Sequence, residues 1–340
     1  MNDFTRMLVK KAVTVDETPY FVKMLVYSDP GVGKTVLAGT APDLFIISDE
    51  NGLLSLKNPD LKEIINQKAK TLPLDNFIEM NLIYEFLFNH CIIRDRLQKL
   101  LKMYTGKSKK DVPTDVIEKV SKLKDALWSM EFGTPRDGQE PRLYYTVAID
   151  SLTELQKRSM DRILDIKHGT GIVANSGDII ITDTSEIEAA PEDSKPSEPD
   201  EDVSILSGFA DFEVKAATLP DYGSNTNQMR KLVRAFRDLP MNVVFTALEQ
   251  EVKDEVTGEM FTRPALTAKL AEDVLGYVDI VGYYYTRLVR EEGKDDRIER
   301  ILQVQPFKNR QAKDRSGRLG NGLINPTFTR IMNLITGVEN

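Results

Sequence analysis

The chain has 340 residues, of which 41% are hydrophobic and 29% charged, and its formal net charge is −8. This composition is typical of an ordinary globular protein, and no apolar run reaches the roughly 18 residues that a membrane span needs. The single cysteine, Cys91, and the two histidines, His90 and His168, exclude an intramolecular disulfide and a zinc site built on paired cysteines or clustered histidines.

The first residues, 1–11, lack the apolar core and cleavage site of a secretory signal, which together with the cysteine usage predicts a protein of a reducing cytoplasm. The negative charge is concentrated in one place. Between Asp183 and Asp202 lie nine acids and one base, so this segment alone carries −8 and the rest of the chain is formally neutral. Because it also contains three prolines and few apolar residues, 182–202 is predicted to be a disordered acidic loop.

The first predicted elements form a strand–helix–strand unit. An apolar, β-branched strand covers Phe21 to Tyr27 and ends at the loop SDPGVGKT. A short helix is expected from Thr35 to about Gly39, and a second buried strand covers Leu44 to Ile47. This order predicts a βαβ unit with parallel strands.

The next stretch, 75–130, is predicted to be a helical insert, because apolar residues recur there at three- and four-residue spacing. A strand from Tyr144 to Ile149 follows and ends in Asp150. The later predicted elements are one helix and three strands: Asn227–Arg237, Asn242–Leu248, Val278–Val289 and Arg300–Phe307.

The loop SDPGVGKT carries the strongest functional signal. Gly31 and Gly33 allow the backbone to bend so that successive N–H groups point at the β- and γ-phosphates of a nucleotide. Lys34 adds a positive charge, the Thr35 hydroxyl can ligate magnesium, and the helix dipole presents its positive end to the same anion.

The usual form of this motif begins with glycine, and Ser28 stands in that position here. A chance turn of the same composition is the alternative, but the strand before the loop and the helix after it favour a nucleotide site. The residues predicted to bind ATP are Ser28, Asp29, Pro30, Gly31, Val32, Gly33, Lys34, Thr35 and Val36.

Two carboxylates are candidates for the chemistry at this loop. Asp150 ends a buried strand, which would bring it to the same edge of a parallel sheet and suits a magnesium-holding role; a helix cap is the alternative. Glu50, just past the second strand, is the candidate for activating the attacking water, with a simple turn acid as its alternative. Asp49 is a rival for that role, and Glu249 or Gln250 could sense the γ-phosphate.

A basic cluster near the end of the chain contains five bases and one acid, at Lys308, Arg310, Lys313, Asp314, Arg315 and Arg318. It follows the predicted strand that ends at Phe307. Such a cluster could contact DNA phosphates or reach the nucleotide of a neighbouring subunit as an arginine finger. A solvated basic turn is the alternative.

With these motifs in chain order, the protein resembles the RecA-like ATPases of phages, often called phage nucleotide-binding or AAA-domain proteins, some of which are single-strand annealing recombinases. The likeness covers roughly half of the chain. It is carried by SDPGVGKT, IISDENGL, TVAIDSLTEL, MRKLVRAFRDLPMNVVFTALEQ, RPALTAKLAEDVLGYVDIVGYY and the strand ending PFKNRQAKDR.

The resemblance implies a three-layer α/β RecA-like P-loop NTPase core with a central, mostly parallel sheet, forming a single domain over 1–340 with the helical insert and the acidic loop. It implies that Glu50 is the catalytic base. It also implies that Lys308 and Arg310 match a Lys-x-Lys pair that reaches across a subunit interface to the γ-phosphate, which requires a homo-oligomeric ring or filament.

In function, the resemblance implies magnesium-dependent ATP hydrolysis coupled to single-stranded DNA in phage recombination or replication, inside the host cytoplasm. A single-strand binding protein or another replication protein would be a further partner. Two other functions stay open: a DNA-independent regulatory ATPase that binds a protein through the acidic loop, and an AAA+ type loader or motor. The stretch Glu251 to Arg263, where the family binds DNA, has more acids than bases.

Overall fold

The computed structural model describes residues 20–48, 52–66, 68–108, 111–130, 140–167, 217–255, 258–291 and 295–338. Glu50 and the acidic loop lie outside these ranges. Within them the strands are β1 (Lys23–Ser28), β2 (Leu44–Ser48), β3 (Lys70–Pro73), β4 (Thr146–Asp150), β5 (Asn242–Lys253), β6 (Met260–Pro264), β7 (Ile280–Val289), β8 (Arg297–Gln303), β9 (Lys313–Asp314) and β10 (Gly322–Ile324).

The helices of the described ranges are α1 (Lys34–Gly39), α2 (Glu79–Met103), α3 (Thr114–Met130), α4 (Leu152–Lys167), α5 (Leu219–Arg237), α6 (Ala268–Tyr277) and α7 (Phe328–Thr336). Two short 3₁₀ segments, Gly52–Lys57 and Pro59–Leu61, follow β2. None of these helices is long and apolar enough to cross a membrane.

All ten strands belong to one mostly parallel sheet. Its parallel part has the order β7, β1, β5, β4, β2 and β3. Beyond β7 the sheet continues with the antiparallel strands β8 and β10, while β6 and β9 pair antiparallel with β5 and β7. Parallel neighbours need crossover connections, which the helices supply here.

Side chains that alternate along the strands fill a core on each face of the sheet. On one face, Leu25 and Tyr27 of β1 pack in a cluster with residues of α2, α4, α5 and α6. On the other face, Met24 and Val26 pack in a cluster with residues of α1 and α7. The protein therefore has three layers, and the predicted mixed α/β fold with a central, mostly parallel sheet is confirmed.

The stretch predicted as a helical insert contains α2 and α3, and the two play different parts. α2 buries Leu87 and Cys91 in the main core, whereas α3 packs against α2. The wholly buried Arg94 donates 2.6 Å hydrogen bonds to the carbonyl oxygens of Tyr144 and Pro240, which precede β4 and β5. α2 is thus part of the layer that covers the sheet.

Two predicted strands have wrong limits. The strand expected to run from Arg300 to Phe307 is β8, which begins three residues earlier at Arg297 and ends at Gln303, three residues before Pro306. Proline has no N–H for the ladder and restricts the residue before it, which accounts for the early end. The strand expected to end at Leu248 continues to Lys253, because its second half forms a hairpin with β6.

Candidate active site

Strand order decides which groups meet at the carboxyl edge of the sheet. β5 lies between β1 and β4, and Ser28 at the end of β1 pairs with Leu248 of β5. β4 lies between β5 and β2, and Asp150 at the end of β4 pairs with Ser48 of β2. The phosphate-loop residues and Asp150 therefore lie at one edge, separated by the width of a single strand.

The loop after β1 has the backbone conformation that the motif requires. Gly31 and Gly33 have φ of 79° and 111°, in a region that other residues rarely adopt. Gly33 is the N-cap of α1, so Lys34 and Thr35 begin the helix. The two glycines make the loop possible, and α1, with six residues, fixes the direction of the next two side chains.

Lys34 folds its ammonium group over the loop. Nζ donates to the carbonyl oxygen of Ser28 at 3.1 Å, to the Ser28 hydroxyl at 3.0 Å and to the carbonyl oxygen of Asp29 at 3.0 Å. The residue is only 9% exposed. The ammonium group can exchange these three neutral oxygens for phosphate oxygens, because a hydrogen bond in which both partners are ionised is stronger.

The hydroxyl of Thr35 donates a 2.6 Å hydrogen bond to Oδ2 of Asp150. The second oxygen, Oδ1, accepts a 2.5 Å hydrogen bond from the hydroxyl of Thr246 on β5. Asp150 is 8% exposed, and α4 is capped by the next residue, Ser151, whose hydroxyl accepts from the N–H of Glu154. Asp150 is therefore directed at the phosphate loop instead of serving as the cap of α4.

The chemistry of this pair fits magnesium. A hydroxyl and a carboxylate supply oxygen ligands, the type that Mg²⁺ prefers, and Mg²⁺ is commonly held by one carboxylate, one hydroxyl and nucleotide phosphates. Thr35 and Asp150 already lie within hydrogen-bond distance of each other beside the loop. These two residues would hold the ion, as the sequence predicts.

The two γ-phosphate sensors considered from the sequence point in different directions. The side-chain amide of Gln250 donates to the carbonyl oxygens of Pro264 and Leu266, at 3.3 and 3.0 Å, inside the β5–β6 hairpin. Glu249 faces the phosphate loop: burial raises the pKa of its carboxyl, and the negative charge of Asp29 raises it further. The geometry favours Glu249.

The negative charge of Glu249 is partly stabilised by its neighbours. The Tyr283 hydroxyl and the backbone N–H of Asp29 favour the charged form of its carboxyl, as does the nearby Arg310, and so limit the rise in its pKa. One carboxylate oxygen, Oε2, is buried with no hydrogen-bond partner in the described ranges. A buried acceptor of this kind can take a hydrogen bond from water or from a ligand.

The basic cluster predicted after β8 is divided by the fold. The guanidinium of Arg310 lies 4.3 Å from the ring centre of Tyr283, on the β7 side of the carboxyl edge. Lys313 and Arg315 instead donate to the carbonyl oxygens of Leu275 and Gly276 at the end of α6. Arg310, whose charge acts on the Glu249 carboxyl, is therefore the member that lies on the phosphate-loop side.

Arg300 is a residue at the site that sequence analysis missed. It lies on β8, and its Nε donates a 3.0 Å hydrogen bond to the carbonyl oxygen of Val32 in the phosphate loop. The two residues are 268 positions apart, and Arg300 lies before the quoted segment PFKNRQAKDR, so nothing in the local sequence connects them. Glu50, the predicted catalytic base, and its rival Asp49 lie outside the described ranges.

A protein-family model described as an AAA domain matches residues 21–177 and 208–316. The chain belongs to this family. Members of this family are nucleotide-binding proteins and typically ATPases. Membership therefore supports nucleotide binding at the phosphate loop of this AAA-domain protein. A search of curated proteins finds no match. The matched residues include the phosphate loop, Asp150, Glu249 and Arg310.

Proposed function

We propose that this AAA-domain protein is a magnesium-dependent ATPase of the RecA-like type that handles single-stranded DNA in phage recombination or replication. The observation that carries the ATPase part is the 2.6 Å hydrogen bond between Thr35 and Asp150. It joins the two residue types that hold magnesium in P-loop enzymes, beside a loop with the required glycines and lysine.

In this proposal each side chain has a separate task. Lys34 exchanges the loop carbonyls for the β- and γ-phosphates. Thr35 and Asp150 would hold magnesium, which would supply charge neutralisation for those phosphates. Glu50 activates the attacking water. Glu249 responds to the γ-phosphate through a water molecule, which donates one hydrogen bond to its buried acceptor oxygen and another to the phosphate.

Lys308 and Arg310 complete the site of the neighbouring subunit in a ring or filament, as the family resemblance implies. Arg310 stacks on Tyr283 and also lies 5.0 Å from the ring centre of Tyr285. A guanidinium that packs against two aromatic rings is already restricted, so it loses little entropy when it binds a phosphate.

The DNA part of the proposal is supported by the surface next to Arg310. Phe307 is 61% exposed, and the ammonium of Lys308 lies 5.6 Å from its ring centre. An exposed aromatic ring within a basic cluster suits single-stranded nucleic acid, because bases stack on the ring while positive charge nearby attracts the phosphate backbone. The β5–β6 hairpin adjoins this surface, since the N–H of Thr262 donates to the carbonyl oxygen of Asn309.

The experiment that tests the proposal measures ATP hydrolysis with magnesium, with and without single-stranded DNA, for the wild type and for Lys34→Ala. We expect hydrolysis that the DNA stimulates and that Lys34→Ala abolishes. Equal rates for the two proteins would contradict the assignment of the phosphate loop. Sizing in the presence of ATP should show an oligomer, because the proposed site takes residues from two subunits.

The same experiment separates the alternatives. An ATPase that ignores single-stranded DNA would favour the regulatory function, in which the acidic segment of nine acids and one base binds a basic protein partner. An AAA+ type loader usually carries a helical lid after its core. In the described residues after β8, two short strands and the single helix α7 follow.

A further inference from the structure

Arg300 contacts the phosphate loop from β8, at a position outside the motifs quoted from the sequence. Its Nε donates to the carbonyl oxygen of Val32, and a Cβ added at Gly33 would lie 3.1 Å from the same Nε. The arginine thus packs against the residue immediately before Lys34. A larger residue at Gly33 would have to displace the arginine as well as adopt a positive φ.

The direction of the loop explains why this contact matters. When successive N–H groups of a phosphate loop turn toward an anion, the carbonyl groups between them turn outward and need other partners. Val32 is the residue between the two glycines, and its carbonyl oxygen has a charged donor at 3.0 Å. The hydrogen bond therefore stabilises the conformation in which the amides face the phosphates.

The backbone of Arg300 is fixed on the opposite side. Its N–H donates to Oδ1 of Asn325 at 2.9 Å, and its carbonyl oxygen accepts from the N–H of Asn325 at 2.7 Å. Asn325 directly follows β10 and has φ of 44°, a conformation that asparagine tolerates better than most residues. Asn325 thus fixes the backbone of Arg300, while the side chain of Arg300 binds Val32.

The side chain also brings charge. A guanidinium carries a delocalised positive charge and five N–H donors. Of its donors, Nε is used by Val32, and no described residue hydrogen-bonds to Nη1 or Nη2. The positive charge therefore lies beside the loop in addition to Lys34, with two donor nitrogens that the described residues do not use.

We propose that Arg300 is a positioning residue for nucleotide binding, which holds the Val32–Gly33 turn of the phosphate loop in its anion-binding conformation and adds a second positive charge for the polyphosphate of the same subunit. This inference rests on the proposed function. Through Arg300, β8 would contribute to nucleotide affinity although β7 separates it from β1.

The test compares Arg300→Met, which removes donor and charge, with Arg300→Lys, which keeps the charge. The matched control is Arg297→Met on the same strand, because Arg297 pairs with Glu291 and Glu299 away from the loop. For each protein the Kd for ATP and for ADP is measured by calorimetry, KM and kcat by an ATPase assay, and the melting temperature by circular dichroism.

We expect Arg300→Met to raise both Kd values and KM about tenfold or more, with a much smaller change in kcat, since a hydrogen bond to a charged group is lost. Arg300→Lys should recover part of the affinity, and Arg297→Met should bind as the wild type does. Wild-type Kd values in Arg300→Met, with only a lower melting temperature, would overturn the inference and leave a structural role. A wild-type protein that binds no ATP would overturn the proposed function itself.

Discussion

The Thr35 hydroxyl and the Asp150 carboxylate, which are 115 positions apart in the chain, are joined by a 2.6 Å hydrogen bond. The contact connects the first turn of α1 to the end of β4, two strands away across the sheet. Because this contact joins the two proposed magnesium ligands, a substitution of Thr35 tests the magnesium dependence directly.

Thr35→Val removes the hydroxyl and keeps the shape of the side chain, whereas Thr35→Ser keeps the hydroxyl. For Thr35→Val we expect ATP hydrolysis to fall about tenfold or more and to need more magnesium, because a ligand and a partner of Asp150 are lost. Thr35→Ser should stay close to the wild type. Rates measured over a magnesium titration check this, and a Thr35→Val curve that matches the wild type would contradict the assigned role.

A second prediction concerns the subunit interface. Lys34→Ala and Arg310→Ala should each be inactive alone, the first for lack of a phosphate loop and the second for lack of the arginine finger. If the finger acts in the neighbouring subunit, an equal mixture contains intact loops next to intact fingers at about one interface in four. Hydrolysis should then reappear on mixing. A mixture as inactive as its parts would show that Arg310 does not act between subunits.

A third prediction concerns single-stranded DNA. Phe307→Ala should weaken binding of a labelled oligonucleotide about tenfold, because stacking of one base on an aromatic ring is lost. The matched control is Phe88→Ala on α2, since Phe88 is also exposed, at 44%, but lies on the helix next to α3. Anisotropy titrations at several salt concentrations measure both. Equal loss in the two variants would contradict a specific surface around Phe307.

A fourth prediction uses the buried histidine. His90 is wholly buried beside the carbonyl oxygen of Arg142, and burial lowers the pKa of its imidazole to about 4. The unfolded chain takes up a proton near pH 6.5 and the folded protein does not, so the contribution to stability is full above that pH and is lost as pH falls toward 4.

Between pH 6.5 and pH 4, protonation of His90 in the unfolded chain should lower the free energy of unfolding by roughly 3 kcal/mol. His90→Gln, which does not titrate, should show a correspondingly shallower loss in urea unfolding between pH 7 and pH 4.5. The other acid-sensitive groups act equally in both proteins, so the difference between the two slopes isolates His90. Parallel slopes would contradict the prediction.

The fifth prediction concerns Arg94, which ties α2 to the segments before β4 and β5. Arg94→Met leaves the carbonyl oxygens of Tyr144 and Pro240 without their donor, and should lower the free energy of unfolding by about 3 kcal/mol. Arg96→Met, on the exposed side of the same helix, should change it by less than about 0.5 kcal/mol. Urea unfolding compares the two, and similar effects would mean that the buried contacts contribute little.

Several elements were predictable because their signals are local. β1, α1, β2 and β4 follow from short apolar runs and from two glycines, and the structure has them within about two residues of the predicted limits. The helices α6 and α7 and the strands β3, β6, β9 and β10 were not predicted. They are short, and their stability comes from packing and pairing with distant residues instead of from local preference.

The sequence by itself determined the phosphate loop, because its chemistry is contiguous: the glycines, Lys34 and Thr35 act together as one turn between a strand and a helix. It also identified Asp150, since a strand end in a parallel sheet points to the shared edge. Only the tertiary structure decided that Glu249 faces the loop, that the basic cluster divides, and that Arg300 reaches Val32. Those relationships depend on strand order and on side-chain direction across hundreds of residues, and no local pattern encodes them.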